Sequence, residues 1–340
     1  VSFDNALTNN GLYPSLQNYD LHIQSYVIFY LGISIWFISN LLASGAVNRI
    51  TLKQLKGNEF YSASDSWNFV RNNWKSIIFP PIVIFLIIIL FIFLAWLFGL
   101  LGSIPFFGHI FISLPFPLYF FGSLFTIYSM FVLSTSISLS PSIASLYEED
   151  TMGVIFQSYS ITWSQPWRLI IYNSLLLPIV LISFAIFSWF WINSLVFIIF
   201  IFGNDITLGS LFLNSSNYAI SILFPPQLMH SLSSNFFFEW NSITLFPVFD
   251  NEILVNKINQ TVSLSGLILT IFYFLVGLSM LSYSLTVFSV GQAIMFIIFK
   301  MKSDDDNILE RKDQEELQNA DSDGNSLEAI NKFLEIEKDS

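Results

Sequence analysis

The sequence predicts an all-α fold, a polytopic transmembrane helical bundle with two interfacial amphipathic helices. Hydrophobic residues make up 54% of the 340 residues and charged residues only 11%, whereas about a quarter of a soluble domain is charged. Several apolar stretches reach the roughly 20 residues that a helix needs to cross a bilayer core. Two further segments, each directly before such a stretch, carry tryptophans and basic residues as interfacial helices do.

Five spans are predicted within a transmembrane domain of residues 26–302. They lie at about residues 26–47, 77–101, 112–137, 169–202 and 264–299. Pro80 and Pro81 are placed in the first turn of the second span, where a missing N–H costs least. Pro141 is expected to stop the helix of the third span. The fourth and fifth stretches exceed the bilayer thickness, and a single long helix, tilted or broken at Pro178, is favoured for the fourth.

The interfacial helices are predicted in the two connections that carry basic residues. In the basic loop 48–76, Ser64 or Asp65 is the expected N-cap, and Trp67, Val70 and Trp74 recur at helical spacing. In the loop 138–168, the acids 148–150 are expected to cap a helix over residues 152–163. The predicted interfacial anchors of the two helices are Trp67, Arg71, Trp74, Lys75, Trp163, Trp167 and Arg168.

Three segments are predicted outside the membrane. Residues 1–25 form an outer N-terminal segment, which is expected to be incomplete, and residues 203–263 form an outer loop against the membrane surface. Residues 303–340 form an acidic tail, largely disordered. Within it, Asp321–Glu328 resembles a calcium loop, but the closing Glu comes too early for an EF-hand. A turn before a short amphipathic helix is the favoured interpretation there.

The distribution of basic residues predicts the orientation. With five spans, all thirteen Lys and Arg residues except Lys257 fall on one face of the membrane. Because cytoplasmic loops carry an excess of Lys and Arg, the C-terminus is predicted to be cytoplasmic.

An internal repeat is indicated by two similar junctions. The run that begins Asn73-Trp74-Lys75 matches the run that begins Pro166-Trp167-Arg168, and each precedes a span. The repeated unit would be an interfacial helix, a span and a return span. Chance similarity in so biased a composition is the alternative.

No catalytic, cofactor-binding or metal-ligating residue is predicted. The chain has no cysteine, which excludes disulfides and Cys-ligated metals. His22, His109 and His230 are far apart, so three unrelated histidines are favoured over an outer metal site. The acids 148–150 could form a cation or acid–base cluster, but a helix cap is favoured. None of the predicted spans holds an Asp, Glu, Lys, Arg or His, which disfavours ion-coupled transport.

Four further stretches stand out: Arg49-Ile50-Thr51, the run from Ser158 to Arg168, Ser282-Tyr283-Ser284, and the acidic stretch after Lys300. In these the chain resembles a family of uncharacterised bacterial multi-pass (polytopic) integral membrane proteins, which implies a location in a bacterial inner (cytoplasmic) membrane. The likeness covers roughly residues 39–311 and is weaker in the loop 203–263. The resemblance implies an additional N-terminal span and the same topology, and it implies no activity, substrate or catalytic residue.

These observations favour a non-enzymatic membrane scaffold or assembly partner. Its partners are the lipid bilayer and a membrane protein that contacts the acidic tail or the interfacial helices. The net charge of −11 argues against a nucleic-acid partner. The alternative is a passive channel or carrier for an apolar or lipid-like substrate, and a membrane enzyme ranks third.

Overall fold

The computed structural model is helical throughout the part of the chain that it describes. It describes residues 23–102, 108, 113, 115–204, 206–223, 245, 260–303 and 305–312. Within these ranges there are eight helices and no strand. The helices are α1 (Ile23–Leu55), α2 (Ala63–Asn72), α3 (Trp74–Gly102), α4 (Phe116–Leu146), α5 (Thr151–Ser164), α6 (Pro166–Phe202), α7 (Ser210–Leu223) and α8 (Gln260–Ser303).

Five of these helices are long and apolar enough to cross a membrane: α1, α3, α4, α6 and α8. Large apolar side chains lie exposed along each of them, for example Ile28, Phe93, Phe131, Ile170 and Ile271. Such long exposed apolar surfaces are typical of helices that face lipid. The predicted all-α fold is confirmed, with five helices that are long and apolar enough to span a membrane.

The chain divides into two compact units. The first comprises residues up to Tyr30 together with Leu177–Val287, and the second comprises Leu31–Leu176 together with Phe288–Ser340. In the first unit, helix α7 lies against the start of α8. The Ser215 and Ser265 hydroxyls are 2.6 Å apart, and the Ser216 hydroxyl is 3.0 Å from that of Tyr273. Gly266 leaves room for the ring of Tyr218.

The second unit holds the main hydrophobic core. Its buried residues come from the end of α1, from α2, from the start of α3, from the end of α4, from α5 and from the end of α8, with Ile308 from the segment after α8. A smaller cluster of Ile84, Ile88, Val132 and Ile155 joins α3, α4 and α5. The best-packed part of the unit thus lies where the basic connections and the chain after α8 come together.

Helix α1 continues beyond its predicted end. It runs to Leu55, so Arg49 and Lys53 belong to the helix, and both are buried, rather than to a basic loop. Two residues past Leu55, the chain turns away from the helix at Gly57 (φ 91°). The Gly57 N–H donates to Gln54 O, and the Asn58 N–H donates to Lys53 O. This pair of bonds is a Schellman cap, which requires a left-handed residue. No Gly or Pro lies between residue 47 and Gly57, so nothing stops the helix earlier.

Two predictions about prolines are wrong. Helix α3 begins at Trp74, which places Pro80 and Pro81 in its second turn rather than its first. Pro81 has no N–H for the carbonyl of Ile77, and the Ser140 hydroxyl of α4 donates to that carbonyl instead (3.2 Å). Helix α4 runs through Pro141 to Leu146, because the residues around Pro141 are all buried in the core of the second unit.

The cap of α2 differs from the prediction. Ser62 is the N-cap, and its side chain accepts a hydrogen bond from the N–H of Asp65. The predicted candidates, Ser64 and Asp65, therefore lie inside the first turn. Helix α2 ends at Asn72, so Trp74 begins α3 and does not share a helix with Trp67 and Val70.

The structure of the second connection agrees more closely with the prediction. Asp150 is the N-cap of α5 and accepts from the N–H of Gly153 (2.8 Å). Both connections end in the same way, with one residue, Asn73 or Gln165, between a short helix and a long one. Each of these residues donates its N–H four residues back, to Phe69 O and Ile161 O respectively. The two junctions that predicted an internal repeat thus have the same local structure.

The single long helix favoured for the fourth apolar stretch is confirmed, since α6 runs through Pro178, and the fifth stretch is also one helix, α8. Two other segments differ from the prediction. The predicted outer loop contains helix α7, whose buried face the sequence analysis missed. The predicted tail is not disordered from its start, because Ile308 is buried in the core of the second unit. Residues 1–22 and 313–340 lie outside the described part of the chain, as do His22, His109, His230 and the calcium-like stretch.

Candidate functional site

A buried ion pair lies at the centre of the second unit. Arg49 on α1 reaches Glu148, two residues beyond the end of α4, with 2.8 Å between Nη1 and Oε1. The Arg49 side chain is 0% exposed and that of Glu148 12%. The same guanidinium nitrogen donates to Ser145 O (3.2 Å), and Cζ lies 4.1 Å from the ring centroid of Phe69. Burial of the Arg49 charge is thus offset by an anion, a carbonyl and an aromatic face.

Polar groups next to the ion pair join α1 to its neighbours. Asn48 Nδ2 donates to the Ser142 hydroxyl (3.0 Å), and the Ser66 hydroxyl donates to Ala46 O (2.7 Å). Gly45 allows this approach, since a Cβ there would lie 2.7 Å from Ile77. These contacts hold α1, α2 and α4 in one arrangement around Arg49.

Glu148 reaches Arg49 from an unusual backbone conformation. Its φ is 58°, in the left-handed region that costs a non-glycine residue about 1–2 kcal/mol. The ion pair gives a reason for a glutamate at a position that backbone energetics alone would assign to glycine or asparagine. The acids 148–150 therefore divide their roles: Glu148 pairs with Arg49, and Asp150 caps α5.

Tyr147 connects the end of α4 to the chain that follows α8. Its hydroxyl donates to Asp306 Oδ2 (2.9 Å), and its ring lies 6.3 Å from that of Phe296 in an edge-on arrangement. Two cations lie near the ring: Lys300 Nζ at 4.6 Å and Arg311 Cζ at 4.3 Å from its centroid. Burial raises the pKa of the Tyr147 phenol above 10.0, and the adjacent Asp306 carboxylate raises it further, against the opposing effect of Arg311.

The segment 305–312 is held against the second unit by three kinds of contact. Ile308 is 1% exposed in the core, Asp306 accepts from Tyr147, and Lys56 Nζ donates to the backbone carbonyl of Arg311. Only Asp305 in this segment has a positive φ. The chain therefore turns back after α8 and is anchored before it reaches residue 313.

A small open pocket lies between this segment and the ends of α1 and α4. It is lined by Lys56, Leu146, Tyr147, Glu148, Ile308, Arg311 and Lys312. Three of the lining residues are cations and one is an anion, and the anion is the partner of Arg49. The pocket borders the buried ion pair, and Asp306 Oδ2 accepts from the hydroxyl of Tyr147, one of its lining residues.

The predicted interfacial anchors lie on the surface of the second unit. The four tryptophans Trp67, Trp74, Trp163 and Trp167 are between 41% and 78% exposed. Arg71 and Lys75 are exposed and Arg168 is half-buried, with its guanidinium 5.2 Å from the Trp167 ring. The structure does not bring these seven residues together into a site. Their exposure suits contact with an interface.

Helix α5 has two apolar faces. One face buries Val154, Ile155 and Ile161 in the unit, while Met152, Phe156 and Trp163 are each more than half exposed. Residues 152, 156 and 163 lie on the same side of a helix. The exposed face is what an interfacial helix would place among lipid acyl chains.

Three amides of the long helices, Asn173, Asn193 and Gln292, are predicted to bond between helices. Gln292 Nε2 on α8 donates to Asn173 Oδ1 on α6 (2.8 Å), which confirms the prediction for these two. Asn193 Oδ1 accepts instead from the N–H of Leu245 (2.7 Å), and its Nδ2 donates to Trp189 O in its own helix. Within the described ranges, no group of three or more His, Asp or Glu residues could hold a metal ion.

Sequence reasoning missed Arg49, Tyr147 and Glu148 as a set. Arg49 was assigned to an exposed loop, and Glu148 was treated as part of a cap. The one local signal was the absence of a helix breaker between residue 47 and Gly57, which carries the helix past Arg49. No local signal relates residue 147 to residue 306, which are 159 positions apart.

Comparison with known proteins finds no matching family model, no matching curated protein and no matching solved structure.

Proposed function

We propose that this protein is a non-enzymatic scaffold or assembly partner in a bacterial inner membrane, with its C-terminus in the cytoplasm. The observation that carries the proposal is the anchored segment 305–312. Ile308, the Tyr147–Asp306 hydrogen bond and the Lys56–Arg311 contact set the point from which the acidic stretch 313–340 begins. A charged segment that starts from a fixed point on the packed second unit suits the recruitment of a partner.

The composition of the second unit supports the same proposal. Its best-packed part lies among the basic connections, whereas the surfaces of the long helices remain apolar and exposed. The excess of Lys and Arg in these connections favours the cytoplasmic side. The unit would thus combine long helices that face lipid with a well-packed cytoplasmic region.

The test compares the proteins that co-purify with three versions of the full chain. One version is the wild type, the second lacks residues 313–340, and the third is Ile308→Asp, which keeps the acidic stretch but detaches its anchor. We expect the same partner to be lost from both altered chains, and the purified partner to bind the wild type when recombined with it. Leu309→Asp, at a half-buried neighbour, is a milder variant on the same segment.

Unchanged partners in both altered chains would remove the support for a scaffold. A second arm replaces Trp67 on α2 and Trp74 at the start of α3 by alanine, to test recruitment through the connection between α1 and α3. The alternative function, a passive channel or carrier for an apolar or lipid-like substrate, stays a prediction. Its measurement is the transfer of a fluorescent lipid analogue across proteoliposomes with and without the protein.

A further inference from the structure

The exposed apolar surfaces of the long helices fall into two classes of length. On α3 and α4 the exposed apolar side chains run from Phe79 to Leu100 and from Phe116 to Ile137. At 1.5 Å per residue, each of these surfaces is about 32 Å long. This length matches a bilayer core of roughly 30 Å.

On α6 and α8 the corresponding surfaces are longer. They run from Ile170 to Phe202 and from Leu264 to Ile294, which is about 48 Å and 45 Å of helix. Each helix is continuous over this length, and α8 contains no proline. The apolar surface of each helix therefore exceeds the thickness of an average bilayer core by about 15 Å or more.

Tilt does not remove this excess. A rise of only 30 Å would require α6 and α8 to tilt by about 50°, whereas membrane helices tilt by about 20° on average and by about 40° at most. Arg168 at the start of α6 and Lys300 and Lys302 at the end of α8 mark the ends that lie near water. The excess thus falls on residues 190–202 of α6 and 264–274 of α8, which we call the distal ends.

The distal ends are exposed on more than one side. Phe272 and Phe274 lie about 200° apart around the axis of α8, and they are 58% and 42% exposed. Phe197 and Phe202 lie about 140° apart on α6, and both are also exposed. One docked protein would cover one side of such a helix, whereas lipid acyl chains surround it. The exposed surface is also continuous with the part of each helix that an average bilayer core covers.

We propose that the distal ends of α6 and α8 are embedded in the acyl chains of long-chain phospholipids, so that the bilayer around them is thicker than average by about 10 Å. Helices that are too long for a bilayer are accommodated in this way at a modest cost for each ångström. The partner is thus defined by the length of its acyl chains rather than by the charge of its headgroup. The proposal does not depend on the scaffold function.

The test makes use of the cysteine-free sequence, because each single substitution then introduces one thiol. Leu264→Cys and Ile268→Cys report on the distal end of α8 in vesicles of dierucoyl (long-chain) or dimyristoleoyl (short-chain) phosphatidylcholine. N-ethylmaleimide reacts with the thiolate, and a thiol surrounded by hydrocarbon does not ionise. We expect both variants to react about tenfold more slowly in the long-chain vesicles than in the short-chain vesicles.

Two further variants are the matched controls. Glu59→Cys, at an exposed position outside the helices, should react rapidly in both lipids, and Leu181→Cys, near the middle of α6, should react slowly in both. Rapid reaction of Leu264→Cys and Ile268→Cys in both lipids would place the distal end in water. Slow reaction in both would show that protein covers it, and cross-linking of the thiols would identify a second copy of the chain. Either result overturns the proposal.

Thermal unfolding gives a second measurement that does not depend on labelling. Ile268→Asn should lower the midpoint more in the long-chain lipid than in the short-chain lipid, because only in the long-chain lipid does residue 268 lie in hydrocarbon. Leu181→Asn should lower the midpoint equally in both lipids. If Ile268→Asn also lowers it equally in both, the distal end is not embedded in lipid and the proposal is wrong.

Discussion

The buried ion pair between Arg49 and Glu148 predicts an asymmetric cost of substitution. Removing one partner of a buried pair costs about 3–5 kcal/mol, because the other charge is left without compensation. Glu148→Gln removes a carboxylate that lies 2.8 Å from a guanidinium at 0% exposure, and Ser145 O and the Phe69 ring offset less of that charge than an anion does. Arg49→Met leaves a carboxylate that is 12% exposed and can reach water.

We therefore expect Glu148→Gln to cost about 5 kcal/mol and Arg49→Met about 3 kcal/mol. The double variant should cost less than the sum of the two, since it leaves no uncompensated charge. The assay is equilibrium unfolding in mixed micelles, followed by tryptophan fluorescence, for the wild type and the three variants. High salt should change these values little, because buried charges are poorly screened.

Glu59→Gln and Lys75→Met, at exposed positions, are the matched controls and should each change the free energy of unfolding by less than about 0.5 kcal/mol. If Arg49→Met costs under about 1 kcal/mol, or if the double variant equals the sum of the singles, Arg49 and Glu148 do not interact as a buried pair.

Three further substitutions test separate contacts. Ser140→Ala should cost about 1–3 kcal/mol, because the Ile77 carbonyl loses the hydroxyl that replaces the missing N–H of Pro81. Gly266→Ala should lower the free energy of unfolding by about 1–3 kcal/mol through overpacking, since its Cβ would meet the Tyr218 ring. Gly277→Ala on the same helix is the control: its Cβ meets nothing within 4 Å, and the higher helix propensity of alanine should raise the free energy of unfolding by up to about 1 kcal/mol. Tyr147→Phe should lose part of the alkaline pH dependence of stability, because the pKa of Tyr147 is raised in the fold. The contribution of this phenol to the free energy of unfolding is complete below the unfolded pKa of 10.0 and is lost as pH rises through the folded pKa.

Each of these predictions has an outcome that contradicts it. In a Pro81→Ala background, Ser140→Ala should cost much less, because the alanine at position 81 supplies the missing N–H. An unchanged cost would show that the Ser140 hydroxyl does not compensate for Pro81. Equal effects at Gly266 and Gly277 would show that close packing against Tyr218 is not important. A Tyr147→Phe protein whose stability follows the wild-type curve above pH 10 would exclude a shifted phenol.

The sequence predicted the spans better than their ends. Apolar length is a local property, and each of the five stretches is indeed a long helix. The ends depend on what surrounds them. Pro141 does not stop α4 because its neighbours are buried. The absence of a helix breaker carries α1 past Arg49, but the burial of Arg49 there depends on Glu148. The buried face of α7 was not predicted because serines are typical of loops. Their hydrogen-bond partners lie on α8, far along the chain.

The sequence by itself determined the class of the protein, an all-α chain with five helices long and apolar enough to span a membrane. Hydropathy, helix length and the placement of tryptophan act over one helix at a time, so they can be read without the fold. Only the tertiary structure decided that Arg49 pairs with Glu148, that Tyr147 holds Asp306, and that Lys56 and Arg311 border one pocket. The physical reason is that a buried charge is stable only beside a specific partner, and that partner can lie anywhere along the chain.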